Sequence, residues 1–392
     1  MLYVNDSSRV WHVAKVGNDG NSGHAGQYPV NLANDAKLTI GAAVSAAASG
    51  DTIIIWPGDY AENVNAGSLA LTFIGTHGTK SRIVPATGTA LTLADNCIVR
   101  NLGLEALQIA TYVAGIYANG KKNILVENCD VYGAYDGVYF YNAQDIIIRN
   151  CRVRGKYDGT NFGSISGLIA ENCIFRTDGT YGTGVQARAA WGSGDAIFRN
   201  CHFILSRSDA SSQVAAGYHI AGAGRHAFHN CVFVATTQSP FAGYLYGLFS
   251  QNAGADTVLQ NCTFYTSATG TPAERYDLKS QSGTIIVNGC KYASSNGTIT
   301  QADSNWANAL AVALFTNGAA NKLKIDAAGK VDAASIQGIN AELLQKAAKM
   351  LLNKAMQDKL TGAIRYYDDD GQTVLLTHTP NEGESSLTRA VS

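Results

Sequence analysis

Three aspartates recur at comparable places along the chain. Asp136 and Asp158 each stand seven residues after a cysteine, in Tyr-Asp-Gly, and Asp178 stands five after one, in Thr-Asp-Gly. Paired carboxylates do two kinds of chemistry. With one protonated and one ionised they work as acid and base on a glycosidic bond. With both ionised they hold calcium through oxygen. Tyr135, Tyr157 and Tyr181 stand close by, and their flat rings are suited to stacking on sugar faces. Trp191, Tyr218, Tyr244 and Tyr246 are expected in longer connections, where they contact a glycan or a partner, or pack the loops. The plainer reading is that Asp-Gly is common turn chemistry, recurring because the surrounding unit recurs. Four histidines form a weaker group. His202, His226 and His229 are expected to face outward, with His219 preceding them, and His202 and His229 to approach each other. Zinc binding or acid–base work is one reading, and solvated surface histidines are the default.

Whether any of these groups meet depends on the elements that carry them. All eight cysteines sit in one recurring context: Cys97, Cys129, Cys151, Cys173, Cys201, Cys231, Cys262 and Cys290, spaced by 32, 22, 22, 28, 30, 31 and 28 residues. Seven follow an asparagine, and the eighth reads Asn288-Gly289-Cys290, one insertion away. Two residues before each Cys the side chain is polar, and two after it is apolar, running from Val99, Val131 and Val153 to Phe175, Phe203, Phe233, Phe264 and Tyr292. Period-two alternation on both sides of an Asn describes two short strands joined by a sharp left-handed bend. A strand-bearing repeat of this length is the mark of a β-solenoid. Equivalent residues then stack in columns about 4.8 Å apart. Valines, phenylalanines and thiols are expected inside, an asparagine amide ladder at the bend, and Glu127, Arg149, Glu171 and Arg199 alternating in sign outside. Thiols stacked in this way are small buried hydrophobes rather than a disulfide framework, and no two lie close enough in sequence for a metal motif. No metal site and no cofactor are expected, calcium on the aspartate face being the one candidate.

Composition narrows the function classes. Apolar residues make up 46% of the 392 residues, enough for a large core, while charged residues are only 15%. A typical globular chain carries roughly 25% charged residues. The 29 basic and 30 acidic residues leave a net charge of −1, which excludes electrostatic attraction to nucleic acid or to an anionic membrane as the default role. No apolar run is long enough to span a bilayer, and the first residues lack the basic start and apolar stretch of a signal peptide.

Two segments resemble known families. The Ile-Ile-Ile-Arg-Asn-Cys-Arg-Val type of repeat and the opening segment resemble the right-handed parallel β-helix of the pectate-lyase-like superfamily, over roughly residues 10–302. The opening combines a strand, a Gly/Asp/Asn loop and an Ala-rich helix at 38–49, with Ile40, Ala43, Val44 and Ala47 on one face. Gly50, Asp51, Thr52, Ile53, Pro57, Gly58 and Tyr60 follow, as in that superfamily. The resemblance implies an all-β fold whose first coil is plugged by the helix. Lyases of the superfamily use acidic calcium ligands with a basic residue. Its polygalacturonase-like members use Asn-Thr-Asp, paired aspartates and Gly-His-Gly, of which this chain has only Arg176-Thr177-Asp178-Gly179.

The domain plan is an N-terminal strand, loop and capping helix at 1–50, a parallel β-helix at 51–302 and a small C-terminal α/β module, helix plus hairpin, at 303–392. In the last, residues 339–360 have helical spacing with two apolar lines, and 363–380 read as a hairpin around Asp370-Gly371. So small a module buries too little surface to stand alone and must pack on the β-helix or on copies of itself; two apolar lines favour copies, as a homotrimer. Its last 60 or so residues resemble the C-terminal segment of tailed-bacteriophage structural proteins, which implies a virion component assembled in the host cytoplasm. The leading expectation is a tail spike, tail fibre or capsid-attached appendage that binds a host-surface polysaccharide or other virion proteins. A polysaccharide lyase or hydrolase acting on acidic or capsular polysaccharide is the alternative, and a bacterial surface adhesin the third reading.

Overall fold

In the computed structural model the described residues are 9–24, 30–178, 186–208, 213–238, 240–301 and three short strands of the tail. Contacts divide the chain into two compact units, Met1–Ala302 and Asp303–Ser392. The first is a right-handed parallel β-helix.

Each coil has three strands. One coil runs Ala114–Asn119, Lys122–Glu127 and Asp130–Gly133; the next runs Asp136–Tyr141, Gln144–Arg149 and Arg152–Gly155. Equivalent strands pair in parallel, with Ile116 beside Val138, Val126 beside Ile148 and Val131 beside Val153. Third strands form a nine-stranded sheet. First and second strands share a twenty-stranded one, because Asp158–Glu171 and Ala187–Arg199 run on through the bend between them. Inside the third strands Phe175, Phe203, Phe233 and Phe264 stack with ring centroids 5.3, 4.9 and 4.6 Å apart.

The bend between second and third strands carries the asparagines. Asn128, Asn150, Asn172, Asn200, Asn230 and Asn261 all have φ between 52 and 55°. The left-handed conformation costs most side chains about 1–2 kcal/mol and costs Asn less. Their amides form a partial ladder, Asn172 donating to Asn150 at 3.3 Å, Asn200 to Asn172 at 3.1 Å and Asn230 to Asn200 at 3.3 Å.

Two assignments at the ends of this column are corrected. Cys97 does not belong to it. Val99 pairs with Val126, so Asn101 and Leu102 hold the places of Asn128 and Cys129, and Leu104 pairs with Val131. Asn96-Cys97 belongs instead to the other bend of the coil, where Asn96 (φ 60°), Asn123 (57°), Asp145 (52°) and Gly167 (75°) are left-handed too. At the far end there is no insertion. Asn288 pairs with Gln260 and Gly289 makes the bend with φ 62°, glycine doing without a side chain what asparagine does elsewhere.

All eight thiols are free, and seven are buried. The stacked ones turn back on their own bend: Cys129 Sγ donates to Glu127 O at 3.2 Å and Cys173 Sγ to Glu171 O at 3.2 Å. Burial pushes the Cys97 thiol up. Outside, Glu127 bridges Arg100 at 2.9 Å and Arg149 at 2.6 Å, and Arg199 meets Glu171 at 2.8 Å. At this exposure each pair contributes little alone, but a slip by one coil would set like charges side by side.

At the N-terminal end the helix is shorter than predicted, Ile40–Ala46. Thr39 Oγ1 accepts from Ala42 N, and the Glu62 carboxylate accepts from Ile40 N and Gly41 N, so its first turn is satisfied. Ile40 and Ala43 enter the core, with Val44 and Ala47 packed against it. In the second unit Ile364–Tyr367 pairs with Val374–His378, and a third strand, Ala355–Gln357, pairs antiparallel with the first of these. This strand corrects the predicted helix at Ala355–Gln357; the rest of that helix lies outside the described residues, as do Asp368, Asp369 and Asp370. No described helix is long and apolar enough to cross a membrane.

Two outcomes follow from the bend column. All eight thiols should titrate in denaturant without reductant; fewer than about six would mean that the column is paired and contradict burial as reduced cysteines. Replacing Asn200 with Ala should lower unfolding stability by about 1–2 kcal/mol, whereas Asn200→Gly should cost less, as read by denaturant midpoint.

Candidate functional site

The candidate aspartates stand where third strands pass into first strands. After Gly133 and Gly155 the chain turns through two residues and opens the next strand with Asp136 and Asp158. There is no room for a side chain at the following glycine. A Cβ on Gly137 would lie 2.5 Å from Gly159 O and 2.6 Å from Arg154 O. The Asp-Gly pairs are therefore the first residues of strands at a crowded corner, which corrects their reading as turn residues.

The corner stacks Asp136 beside Asp158 and Asp158 beside Arg188. Both aspartates are 0% exposed and Arg188 is 7%. Arg188 grips Asp158 in a bidentate pair, Nε to Oδ1 at 2.8 Å and Nη2 to Oδ2 at 2.7 Å, and also donates to Gln186 Oε1 at 3.2 Å. Its guanidinium lies over the rings of Tyr157 (5.5 Å) and Trp191 (5.1 Å), and Tyr157 stacks on Tyr135 at 4.7 Å. Neither Asp136 oxygen has a hydrogen-bond partner among the described residues. Two buried carboxylates thus share one cation, and only one can be ionised cheaply. Burial, then the Asp158 charge, pushes Asp136 well above the usual carboxylate range, while burial raises Asp158 against the opposing pull of Arg188. The result is a neutral acid beside an ion pair, both closed to solvent.

Asp178 does not join them. Thr177 pairs with Gly155, so Asp178 falls in line with Lys156, two residues short of the Asp158 position. It is exposed and pairs with Arg176 at 3.0 Å. Tyr181 lies outside the described residues. These groups do not make a calcium site: Arg188 occupies Asp158, Asp178 is elsewhere, and the described residues hold no cluster of three His, Cys, Asp or Glu suited to a metal.

The histidines separate as well. His202 is exposed, and His229 bonds Gln260 Oε1 at 2.9 Å. His226 does not face outward; it is buried at 1% exposure against Tyr218, its alternation placing it with Phe228. Burial lowers it to about 4. His219 is lowered to about 3, chiefly by burial, and bonds Gln251 Oε1 at 3.0 Å. Both are neutral at pH 7.

A feature of which sequence reasoning named only Trp191 and His219 lies on the outer side of the first strands; Trp191, Tyr218, Tyr244 and Tyr246 stand in these strands, which corrects their placement in longer connections. Tyr117, Tyr139, Asn161, Trp191, His219, Phe249 and Lys279 form one column, each in register with the next. Tyr117 and Tyr139 stack at 5.1 Å and 4°, and Tyr112 meets Tyr139 edge-on at 5.4 Å. With Tyr141, Asn161 and Trp191 they line a hollow of about 470 Å³. Burial, then Tyr117, raises Tyr139 to about 12, so its hydroxyl is protonated throughout the neutral range. The signal was present in Ile-Tyr-Ala-Asn and Val-Tyr-Phe-Tyr, but only the coil register shows that these tyrosines coincide.

The buried trio has a definite pH signature. Below the unfolded carboxylate value, about 4, Asp136 is protonated in both states. As the pH rises above it the unfolded chain releases a proton that the folded chain keeps, so stability falls by up to about 1.4 kcal/mol per unit until the raised folded value is reached. Asp136→Asn should therefore stabilise the protein near pH 7 and give no gain near pH 4, measured by urea unfolding at both. Arg188→Met should cost about 3–5 kcal/mol, most of it recovered on adding Asp158→Asn.

Several solved structures are distantly similar to this chain. A solved pectate lyase, Pel9A, is 12% identical, with 68% of this chain and 78% of that one covered and a TM-score of 0.47. Pectin methylesterase from carrot is 13% identical over 75% of this chain and 88% of that one, with a TM-score of 0.44. Tailspike protein 2 of Escherichia coli O157:H7 bacteriophage CAB120 is 11% identical over 63% and 40%, with a TM-score of 0.42. Likenesses this distant say nothing of activity. No curated protein matches the sequence. The family described as right handed beta helix region matches residues 114–325, just over half of the chain. With its parallel coils, stacked bends and capped first turn, the chain belongs to the right-handed β-helix family.

Proposed function

We propose that this chain is a structural appendage of a bacteriophage virion, a β-helical spike or fibre that binds a host-surface glycan along the outer column of its first strands. The observation that carries the reading is the hollow formed by Tyr112, Tyr117, Tyr139, Tyr141, Asn161 and Trp191. Sugars present an apolar face and a rim of hydroxyls, and a row of rings interrupted by an amide answers both. The rings are held by strand pairing from beneath, so little conformational entropy is lost on binding. The resemblance of the last 60 or so residues to phage structural proteins supports a virion setting. Within this reading the 303–392 unit, whose described part is a three-stranded sheet, joins three chains and docks on other virion proteins.

Binding is favoured over cleavage because the carboxylates are sealed. Acid–base work on a polysaccharide needs oxygen atoms within reach of the glycosidic bond, and Asp136 and Asp158 expose none.

The test uses the full chain with surface polysaccharide extracted from candidate host bacteria. Retention without shortening of the polymer is expected, weakened about tenfold or more by Trp191→Ala. No retention by any extract would overturn the reading. Light scattering should give about 124 kDa, three chains of 41.3 kDa, falling to one chain when the protein ends at Gln301. A monomeric full chain would remove the trimer.

A further inference from the structure

Beyond Trp191 the outer column changes character. His219, Phe249 and Lys279 follow, and a second hollow of about 360 Å³ opens beside them, with Tyr246, Gln251 and Glu274 on its walls. Glu274 opens the strand Glu274–Ser280, one coil after Tyr244. Its Oε2 accepts from the Tyr246 hydroxyl at 2.7 Å and from Lys279 Nζ at 3.1 Å. Those two donors, Tyr246 first, hold the carboxylate below its usual range and therefore ionised. Among the described residues Oε1 takes no bond. Phe249 supplies an aromatic wall, stacked on His219 at 4.9 Å and tilted against Tyr246 at 4.8 Å. Gln251 Oε1 is engaged with His219 Nε2, which leaves the Gln251 amide nitrogen as a donor to the hollow.

We infer that this second hollow is a sugar-hydroxyl site and that the column as a whole takes a neutral glycan rather than a uronic-acid polymer. The inference rests on the glycan-binding reading above and narrows it to a ligand class. A carboxylate with one oxygen unbonded accepts from the hydroxyls of a vicinal diol, and an amide donor beside it completes the pattern. A uronate entering the same space would meet a like charge. It would also need a cation with unused hydrogen-bonding capacity. Lys279 is engaged with Glu274, and at the first hollow Arg188 is buried and engaged with Asp158. Among the described residues that line the two hollows, Lys279 is the one Lys or Arg side chain, and Glu274 neutralises it. A chain of neutral sugars laid along the column would touch rings from Tyr117 to Trp191 and then the Glu274 site, with no charge to satisfy.

The test is a glycan array that carries neutral and uronate-bearing bacterial glycans, probed with the full chain, Glu274→Gln and Trp191→Ala. Bound members should be neutral, binding should not change when salt is raised, and Glu274→Gln should weaken the same members about tenfold or more. Its melting temperature should match that of the parent chain, since the amide fills the same space at a partly exposed position. Equal or better binding of uronate polymers would overturn the inference, as would full affinity in Glu274→Gln. In either case a loss on Trp191→Ala would leave the glycan-binding reading standing. Absence of binding to every member would overturn both.

Discussion

Each coil must turn at the same place as the one beneath it, and the left-handed bend between second and third strands is where that requirement is most severe. The residue there has to adopt φ near 54° without strain, leave its own amide free to join the next coil, and point the following side chain inward. Asparagine meets the first two conditions, and the small buried thiol of cysteine meets the third. Once that bend is fixed, strand pairing sets the register of every other column. The phenylalanines stack inside at 4.6 to 5.3 Å because Asn172, Asn200 and Asn230 stack outside. The spacing of the outer tyrosines is inherited in the same way, so the geometry of the candidate site is a consequence of the bend rather than of the residues that line it.

Asparagine and cysteine were therefore enough to read the fold from the sequence, and the places where they misled have a physical cause. A coil has two left-handed bends, and both accept Asn followed by a buried residue. Cys97 stands at the second kind, and only the inward Leu104 shows that Asn101-Leu102 is the true counterpart of Asn128-Cys129. The Asp136–Asp158 juxtaposition was legible because two successive coils are both 22 residues long. The third member was not. The next coil has 28 residues, its extra length falls before the first strand, and so Arg188 rather than Asp178 arrives at the corner. The outer tyrosines were hidden for a related reason: alternation along one strand gives a face, and only pairing between strands gives a column. In the tail, helical spacing through 339–360 runs into Ala355–Gln357, where pairing with Ile364–Tyr367 outweighs local propensity.

The buried trio marks the place where coil length changes. An ion pair in the interior is weak evidence of stability, since apolar residues of the same volume often do as well. What it does enforce is partner choice. Arg188 belongs to the first 28-residue coil and Asp158 to the last 22-residue one, and the bidentate pair forms in a single register. A slip of one coil would leave a guanidinium buried alone, at a cost that few other contacts in the coil could offset. Asp136 is the remainder of this arrangement: it has no second arginine and stays a neutral acid. Its raised pKa is thus explained by the stacking itself, and a perturbed carboxylate near a hollow is here no sign of catalysis.

That conclusion bears on what the outer surface can do. Catalysis needs groups that change protonation in contact with the substrate, and Asp136, Asp158 and His226, three of the candidate acids and bases, are buried. Recognition needs only shape, rings and hydrogen bonds held in place, and the first strands supply these at one coil per step without any moving part. On the proposed reading each contact would be modest, a linear ligand would meet several in series, and chains joined side by side would multiply them again. Such a surface gains affinity by length instead of by a deep pocket, and a rigid solenoid is well suited to provide length.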